Sequence, residues 1–209
     1  SPYVDVETIV LAFSILKSLG LKDIKVCLNT LGDDESRANY RSALKEYFAP
    51  YVDELCGDCK RRYEQNPLRI LDCKVDHDHE CMKNAPKMSD YLNEASQEYF
   101  NTVCELLDKL EIPYEVDDKL VRGLDYYTHT VFEIVSMNSE MGAQSTVLAG
   151  GRYDGLISYF GGPEGMSGIG WALGMERLLI ALEAEGIELE QKPSLDAYVM
   201  CLDKEARTY

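Results

Sequence analysis

Arg122 and Gly123 open the stretch RGLDYYTHTVFE, which runs to Glu133 and carries the paired phenols Tyr126 and Tyr127. A guanidinium is a planar fork of donors that stays charged at any working pH. Arg122 therefore suits a two-point grip on a phosphate or carboxylate, and Gly123 lets the backbone come close. A surface ion pair on a strand edge accounts for the same residues equally well. Read as neighbours in a strand, Tyr126 and Tyr127 send their rings to opposite faces, one lining a pocket and the other packing in the core. A second cluster, AGGRYDGL, places Gly150 and Gly151 at a strand end, with Arg152, Tyr153 and Asp154 at a rim. Such a glycine pair permits a ligand or another backbone to approach, although alone it more commonly marks a turn. In the third, GIGWALGMER, small residues at Gly168, Gly170, Ala172 and Gly174 lead into a helix bearing Arg177. A purine can lie on a flat strand of this kind while the arginine meets phosphates or covers the ring. Tight strand-to-helix packing is the plainer explanation.

A fourth group is made of soft ligands. Cys56-x-x-Cys59, with Cys73, His77, His79 and Cys81 downstream, holds enough donors for a tetrahedral zinc site, with Cys56, Cys59, Cys73 and Cys81 as the candidate set. A second closely spaced cysteine pair is lacking, so free thiols in a helical segment are the favoured reading and zinc is not expected. His129, a lone histidine in a strand, receives no role. Asp33, Asp34 and Glu35 suit a helix start, where acidic groups meet unpaired amides.

Stepping outward, 209 residues with 45% apolar character argue for a globular chain rather than a disordered one. With 37 acidic and 21 basic residues the formal charge is −16, which excludes broad polyanion binding and leaves only local contacts to nucleic acid. No apolar run approaches a membrane span. Seven scattered cysteines suit reduced thiols in the cytoplasm. Val6, Ile9, Val10, Phe13, Leu16 and Leu19 mark one face of a helix that Gly20 can end. Ile24, Val26 and Leu28 alternate as a strand with one covered face. From Asp33 to about Leu110 the pattern is helical and charged, around an irregular middle. Strand signals return near Tyr114. The runs TVFEIV and STVLA then read as an antiparallel pair, and a short strand near Ile169 precedes a helix over Met175 to Glu185. LDAYVMCL restarts as an apolar strand near the end, as though a further domain follows.

Taken together and in this order, RGLDYYT, AGGRYDGL and GIGWALGMERL resemble the histidine-specific signature, the second pocket segment and motif 3 of histidyl-tRNA synthetases, a family of class II aminoacyl-tRNA synthetases. SRANYR and NPLRILDCK are similar to patterns in that family's insertion domain, so the likeness covers essentially the whole chain. It implies an α+β fold: part of the antiparallel class II sheet with helices, plus a helical insertion subdomain. The boundaries it implies are 1–32 and 113–190 for core segments, 33–112 for the insertion, and 191–209 for the start of an α/β anticodon-binding domain. It implies that Arg122 contacts the α-phosphate of ATP and the histidine carboxylate, and that Tyr126, Tyr127, Tyr153 and Gly151 line the histidine pocket. Gly168, Gly170 and Arg177 would hold ATP, which enters with Mg2+. The implied activity is ATP-dependent activation of histidine and its transfer to the 3' end of tRNA(His), by a cytoplasmic homodimer with no membrane partner. A regulatory subunit of ATP phosphoribosyltransferase and a non-catalytic tRNA-binding module are the alternatives. The family's motifs 1 and 2 are not visible in this sequence, so the resemblance implies a fragment holding half an active site and inactive alone. Cys59 to Arg62, with Arg37 and Arg41, are the candidate phosphate contacts for a tRNA acceptor stem, against an alternative of internally paired helix faces.

Overall fold

The computed structural model describes residues 1–121 and 126–188, with positions 197, 200–202 and 204. Arg122 and Gly123 lie outside the described residues, as does half of the LDAYVMCL run.

Helix α1 (Pro2–Ser18) buries Asp5, Val6, Ile9, Ala12, Phe13 and Leu16 along one stripe. It ends where Gly20 adopts a left-handed φ of 103°, and a Cβ there would press on Ile187 at 2.8 Å. Strand β1 (Ile24–Thr30) follows with Ile24, Val26 and Leu28 buried. Helix α2 (Asp34–Phe48) starts at Asp33, whose carboxylate accepts from the Ser36 amide at 2.9 Å, so the acidic run does mark a helix start. Helix α3 (Gly57–Gln65) precedes a stretch whose only regular elements are 3₁₀ turns at Pro67–Ile70, Glu80–Met82 and Met88–Tyr91. Helix α4 (Glu94–Lys109) leads to strand β2 (Tyr114–Val116). Strands β3 (Thr128–Ser136) and β4 (Thr146–Arg152) form the expected antiparallel pair. A short helix α5 (Leu156–Tyr159), strand β5 (Ile169–Leu173) and helix α6 (Met175–Ala184) complete the described chain.

The five strands run in the order β2-β1-β3-β4-β5, parallel only between β1 and β2. The α+β architecture is therefore observed. Two apolar cores flank this sheet. One joins α1, α4 and α6 to Val26, Leu28, Phe132, Ile134 and Leu148. The other gathers Tyr40, Leu44 and Phe48 of α2, Cys59 of α3 and the 3₁₀ turns around Val131 and Tyr127. Helix α4 belongs to the first core, packed against α1, although it follows the irregular stretch in sequence.

One polar cluster sits inside the first core. Asp5 is wholly buried, and its carboxylate accepts from Arg152 Nε at 3.1 Å and from Arg152 Nη2, from Tyr99 Oη at 2.9 Å and from Thr130 Oγ1 at 2.6 Å. Arg152 is itself only 3% exposed. The expected place for Arg152 at a rim is thereby corrected: β4 continues through Arg152, and strand alternation turns its side chain to the α1 face with Leu148. Removing one partner of a buried pair strands a charge and costs about 3–5 kcal/mol. Asp5→Ala and Arg152→Met should each lose that much in urea unfolding. In the double-mutant cycle the two losses should be non-additive by about 2–3 kcal/mol, because either change alone already breaks the pair.

Candidate functional site

Where β4 ends, neighbouring residues face opposite ways. Tyr153 points away from the Asp5 cluster, and its ring lies on β5: a Cβ at Gly168 would stand 2.3 Å from Tyr153 Cε2, and one at Gly170 would stand 3.2 Å from Tyr153 Oη. The Tyr153 amide donates to the Gly168 carbonyl at 2.7 Å. Gly168 and Gly170 thus leave room for the Tyr153 phenol on the side where a Cβ would project. Gly151 plays the same part for Tyr127, with a would-be Cβ 2.9 Å from the ring and 2.8 Å from the Thr130 carbonyl. A Cβ on Gly150 would stand 2.3 Å from the Gly170 carbonyl of the next strand. The pair is thus inside β4 and is not a turn. Close approach of strands and rings excludes side chains there.

Tyr126 and Tyr127 do not point to opposite faces. Strand β3 begins only at Thr128, so period-two alternation does not reach them, and their ring centroids are 4.9 Å apart. Tyr126 also meets Tyr153 edge-on at 6.3 Å. The three phenols thus form one cluster, with Tyr127 7% exposed and backed by Arg37, which donates to the Tyr127 carbonyl. Arg177 stands elsewhere. Its Nη1 donates to the Thr146 carbonyl at 3.1 Å, at the opposite end of β4 from Tyr153. A grip on a nucleotide would come from its remaining N–H donors or from exchange of that bond.

A cleft of about 940 Å3 is lined by Tyr126, Asp33, Asp34, Arg37, Thr128, His129 and Asp154, with Tyr159 and Phe160 on an exposed flank. Of the described candidates for the histidine and ATP sites only Tyr126 lines it, and of the candidate phosphate contacts only Arg37. Asp154 fixes its mouth: its Oδ1 accepts from Arg152 Nη1 at 2.8 Å and from the Gly168 amide at 3.1 Å. Burial raises the Asp33 carboxyl, but the Ser36 amide and the Asn93 side chain outweigh it and hold the group below the usual carboxylate range. An acidic, partly aromatic cleft of this kind suits a small amine-bearing or cationic molecule.

His129 is the residue that sequence reasoning missed. It occupies a bulge in β3 between the Thr128 and Val131 pairings, with a left-handed φ of 46°. Its ring stacks on Tyr99 at 4.6 Å, and its Nδ1 is buried with no hydrogen-bond partner among the described residues. Burial lowers its pKa most, against the pull of Asp154 and Asp33, so the ring is neutral at pH 7. No sequence signal marks it, because the bulge arises from a register that only the assembled sheet defines.

Of the zinc candidates, Cys56, Cys59 and Cys73 converge, and Cys81 does not: its Sγ lies 3.0 Å from His79 Nδ1, outside the group. The fourth member is Asp76.

The comparisons with known proteins follow this geometry. The solved apo histidyl-tRNA synthetase of S. aureus superposes with a TM-score of 0.72 at 43% identity, over 91% of this chain and 46% of that one. A Bacillus halodurans protein described as an ATP phosphoribosyltransferase regulatory subunit/histidyl-tRNA synthetase superposes at 0.58 and 20% identity, over 87% of this chain and 50% of that one, which speaks to fold alone. Sheet, helices and aromatic cluster thus define a chain of the aminoacyl-tRNA synthetase class. A family model for histidyl-tRNA synthetase matches residues 1–178, and the chain belongs to that family. Curated histidine–tRNA ligases of Lysinibacillus sphaericus and Bacillus velezensis are 51% and 52% identical to it, over 99% and 100% of this chain and 49% of each relative. The chain spans about half the length of these relatives. Among the described residues no helix is long and apolar enough to cross a membrane.

The neutral His129 ring sets a pH dependence. Its folded pKa lies below the unfolded value of about 6.5, so the unfolded chain takes up the proton first and stability falls as pH drops through that range. His129→Asn keeps a residue tolerant of positive φ and removes the titration. Thermal melts from pH 7.5 to 5.5 should therefore show a steeper decline for the native protein than for His129→Asn.

Proposed function

We propose that this chain supplies part of the active site of a histidine–tRNA ligase. The supporting observation is 51–52% identity to proteins of that name along essentially its whole length. In this reading histidine enters the cleft that Tyr126 lines, with the Tyr127 and Tyr153 rings packed against Tyr126, and a phenol there can complete a hydrogen bond to an imidazole. Gly151 acts one step back, by leaving room for the Tyr127 ring, and Gly168 and Gly170 do the same for Tyr153. A histidine carboxylate oxygen attacks the α-phosphorus of ATP, brought in as its magnesium complex. A new P–O bond forms, the bond to the β-phosphate oxygen breaks, and pyrophosphate leaves. Arg122 supplies the fixed cation that meets charge growing on the α-phosphate. Arg177 turns from Thr146 toward the nucleotide. The terminal ribose hydroxyl of tRNA(His) then attacks the acyl carbon and AMP departs. Homodimerisation, a class II core and a cytoplasmic location belong to the same reading.

The test is histidine-dependent ATP–pyrophosphate exchange by this chain and by a chimera in which it replaces the matching half of the S. aureus enzyme. The chimera should exchange, and Arg122→Ala within it should lose roughly 10²–10³-fold in rate, as removal of a fixed donor to developing charge does. Unchanged exchange in that variant would sink the catalytic role of Arg122. A chimera that folds and never exchanges histidine would sink the ligase reading.

A second prediction concerns the glycines. Gly168→Ala forces a methyl into the Tyr153 ring, and such overpacking costs about 1–3 kcal/mol. The KM for histidine in the chimera should rise roughly five- to 150-fold, while the conservative Ala172→Gly change on the same strand should leave it within about twofold.

A further inference from the structure

Cys56, Cys59, Cys73 and Asp76 offer ligand atoms that all lie within 4.8 Å of one another. We infer that these four residues form a structural zinc site of the Cys3Asp type. The arrangement is a pair of knuckles, Cys56-x-x-Cys59 at the start of α3 and Cys73-x-x-Asp76 beyond the Pro67–Ile70 turn. It replaces Cys81 in the sequence-derived set with a carboxylate that cysteine counting could not have picked.

The distances fit a metal. Thiolates about 2.3 Å from zinc at tetrahedral angles stand about 3.8 Å apart, and a carboxylate oxygen about 2.1 Å from the ion stands about 3.6 Å from each sulfur. Cys56 Sγ and Cys73 Sγ are 3.8 Å apart, and Cys73 Sγ is 3.6 Å from Asp76 Oδ2. A disulfide would bring two sulfurs to about 2.05 Å and leave the third without a role.

The surroundings orient the donors toward one point. The Cys56 amide donates to the Asp76 carboxylate at 3.1 Å, and the Asp76 amide donates to Cys73 Sγ at 3.5 Å. Amide donors of this kind fix ligand direction in metal sites. Cys56 and Cys59 occupy the N-cap and first turn of α3, where the helix dipole favours thiolates. Cys59 and Cys73 are 0% and 5% exposed and Asp76 is 9% exposed, and among the described residues no lysine or arginine forms an ion pair with Asp76. A buried carboxylate beside three thiols and no cation is costly unless an ion neutralises it.

The structural need is equally local. Between Asn66 and Asn93 the regular elements are 3₁₀ turns of three or four residues, held on a small apolar core. A zinc ion would join α3 to this stretch and make part of its folding free energy a binding free energy. On binding, the three S–H groups release their protons to solvent as Zn–S bonds form, so no electron is transferred.

The decisive experiment is metal analysis of the protein isolated on a metal-free resin and exchanged against EDTA, before and after reconstitution with zinc sulfate under thiol reductant. One zinc per chain should remain. It should be lost in Cys73→Ser and Asp76→Asn and retained in Cys81→Ser and Cys104→Ser. Because Cys73→Ser could simply misfold, the native protein is also titrated with p-hydroxymercuribenzoate in the presence of a zinc indicator, where metal release should track modification of three thiols. No zinc after reconstitution, or zinc retained by both ligand variants, would overturn the inference.

Discussion

A carboxylate with no access to water must be surrounded by donors, and the site end of the sheet is arranged around that requirement. Asp5 brings its charge from α1 into the first core, where Arg152 of β4, Tyr99 of α4 and Thr130 of β3 all donate to it. Desolvation of the pair is costly, and the four donors are what compensate it. The pair fixes the seating of α1 and α4 on the strands. Arg152 has a second arm, which holds Asp154, and Asp154 in turn holds the Gly168 amide. The chain entering β5 is therefore positioned by an ion pair on the far side of the sheet.

From this follows a division of labour along β4. Leu148, Gly150 and Arg152 face one way, while Gly151 and Tyr153 serve the aromatic cluster. Alternation means that one residue of slippage would place Arg152 among the phenols and Tyr153 against Asp5. The β3 bulge at His129 and Thr130 absorbs the length mismatch that lets Thr128 and Val131 both pair with β4. Register is thus set by charge on one face and by ring packing against glycine on the other.

Much of this was legible in the residues. The α1 stripe, the β1 alternation, the acidic helix start at Asp33 and the β3–β4 pair all follow from local periodicity and capping, which act within a few residues. Asp5 was not singled out, although it lies one turn before Ile9 on the apolar stripe, where a carboxylate demands a partner. What could not be read was who the partner is. Arg152 is 147 residues away in sequence, and its burial depends on which face β4 presents. The rings of Tyr126 and Tyr127 were misassigned because the strand was taken to start before Thr128. Asp76 was overlooked because a carboxylate is an ordinary surface residue until three sulfurs are folded around it.

The charge of −16 leaves any phosphate to be met by local cations. Arg37 is committed to Asp34 and the Tyr127 carbonyl, Arg41 to Gln65, Lys60 to Asp53, Arg61 to Asp58 and Arg62 to the Arg69 carbonyl. Each is an exchangeable surface or half-buried bond, worth little by itself, and a phosphate could displace most of them at small cost. Arg37 differs, because releasing it would also release the backbone of Tyr127. A phosphate drawn to Arg37 would therefore disturb the aromatic cluster, whereas one drawn to Arg61 or Arg62 would not. Of these cations only Arg37 is tied to the aromatic cluster, so displacing Arg41, Lys60, Arg61 or Arg62 would leave the rings in place.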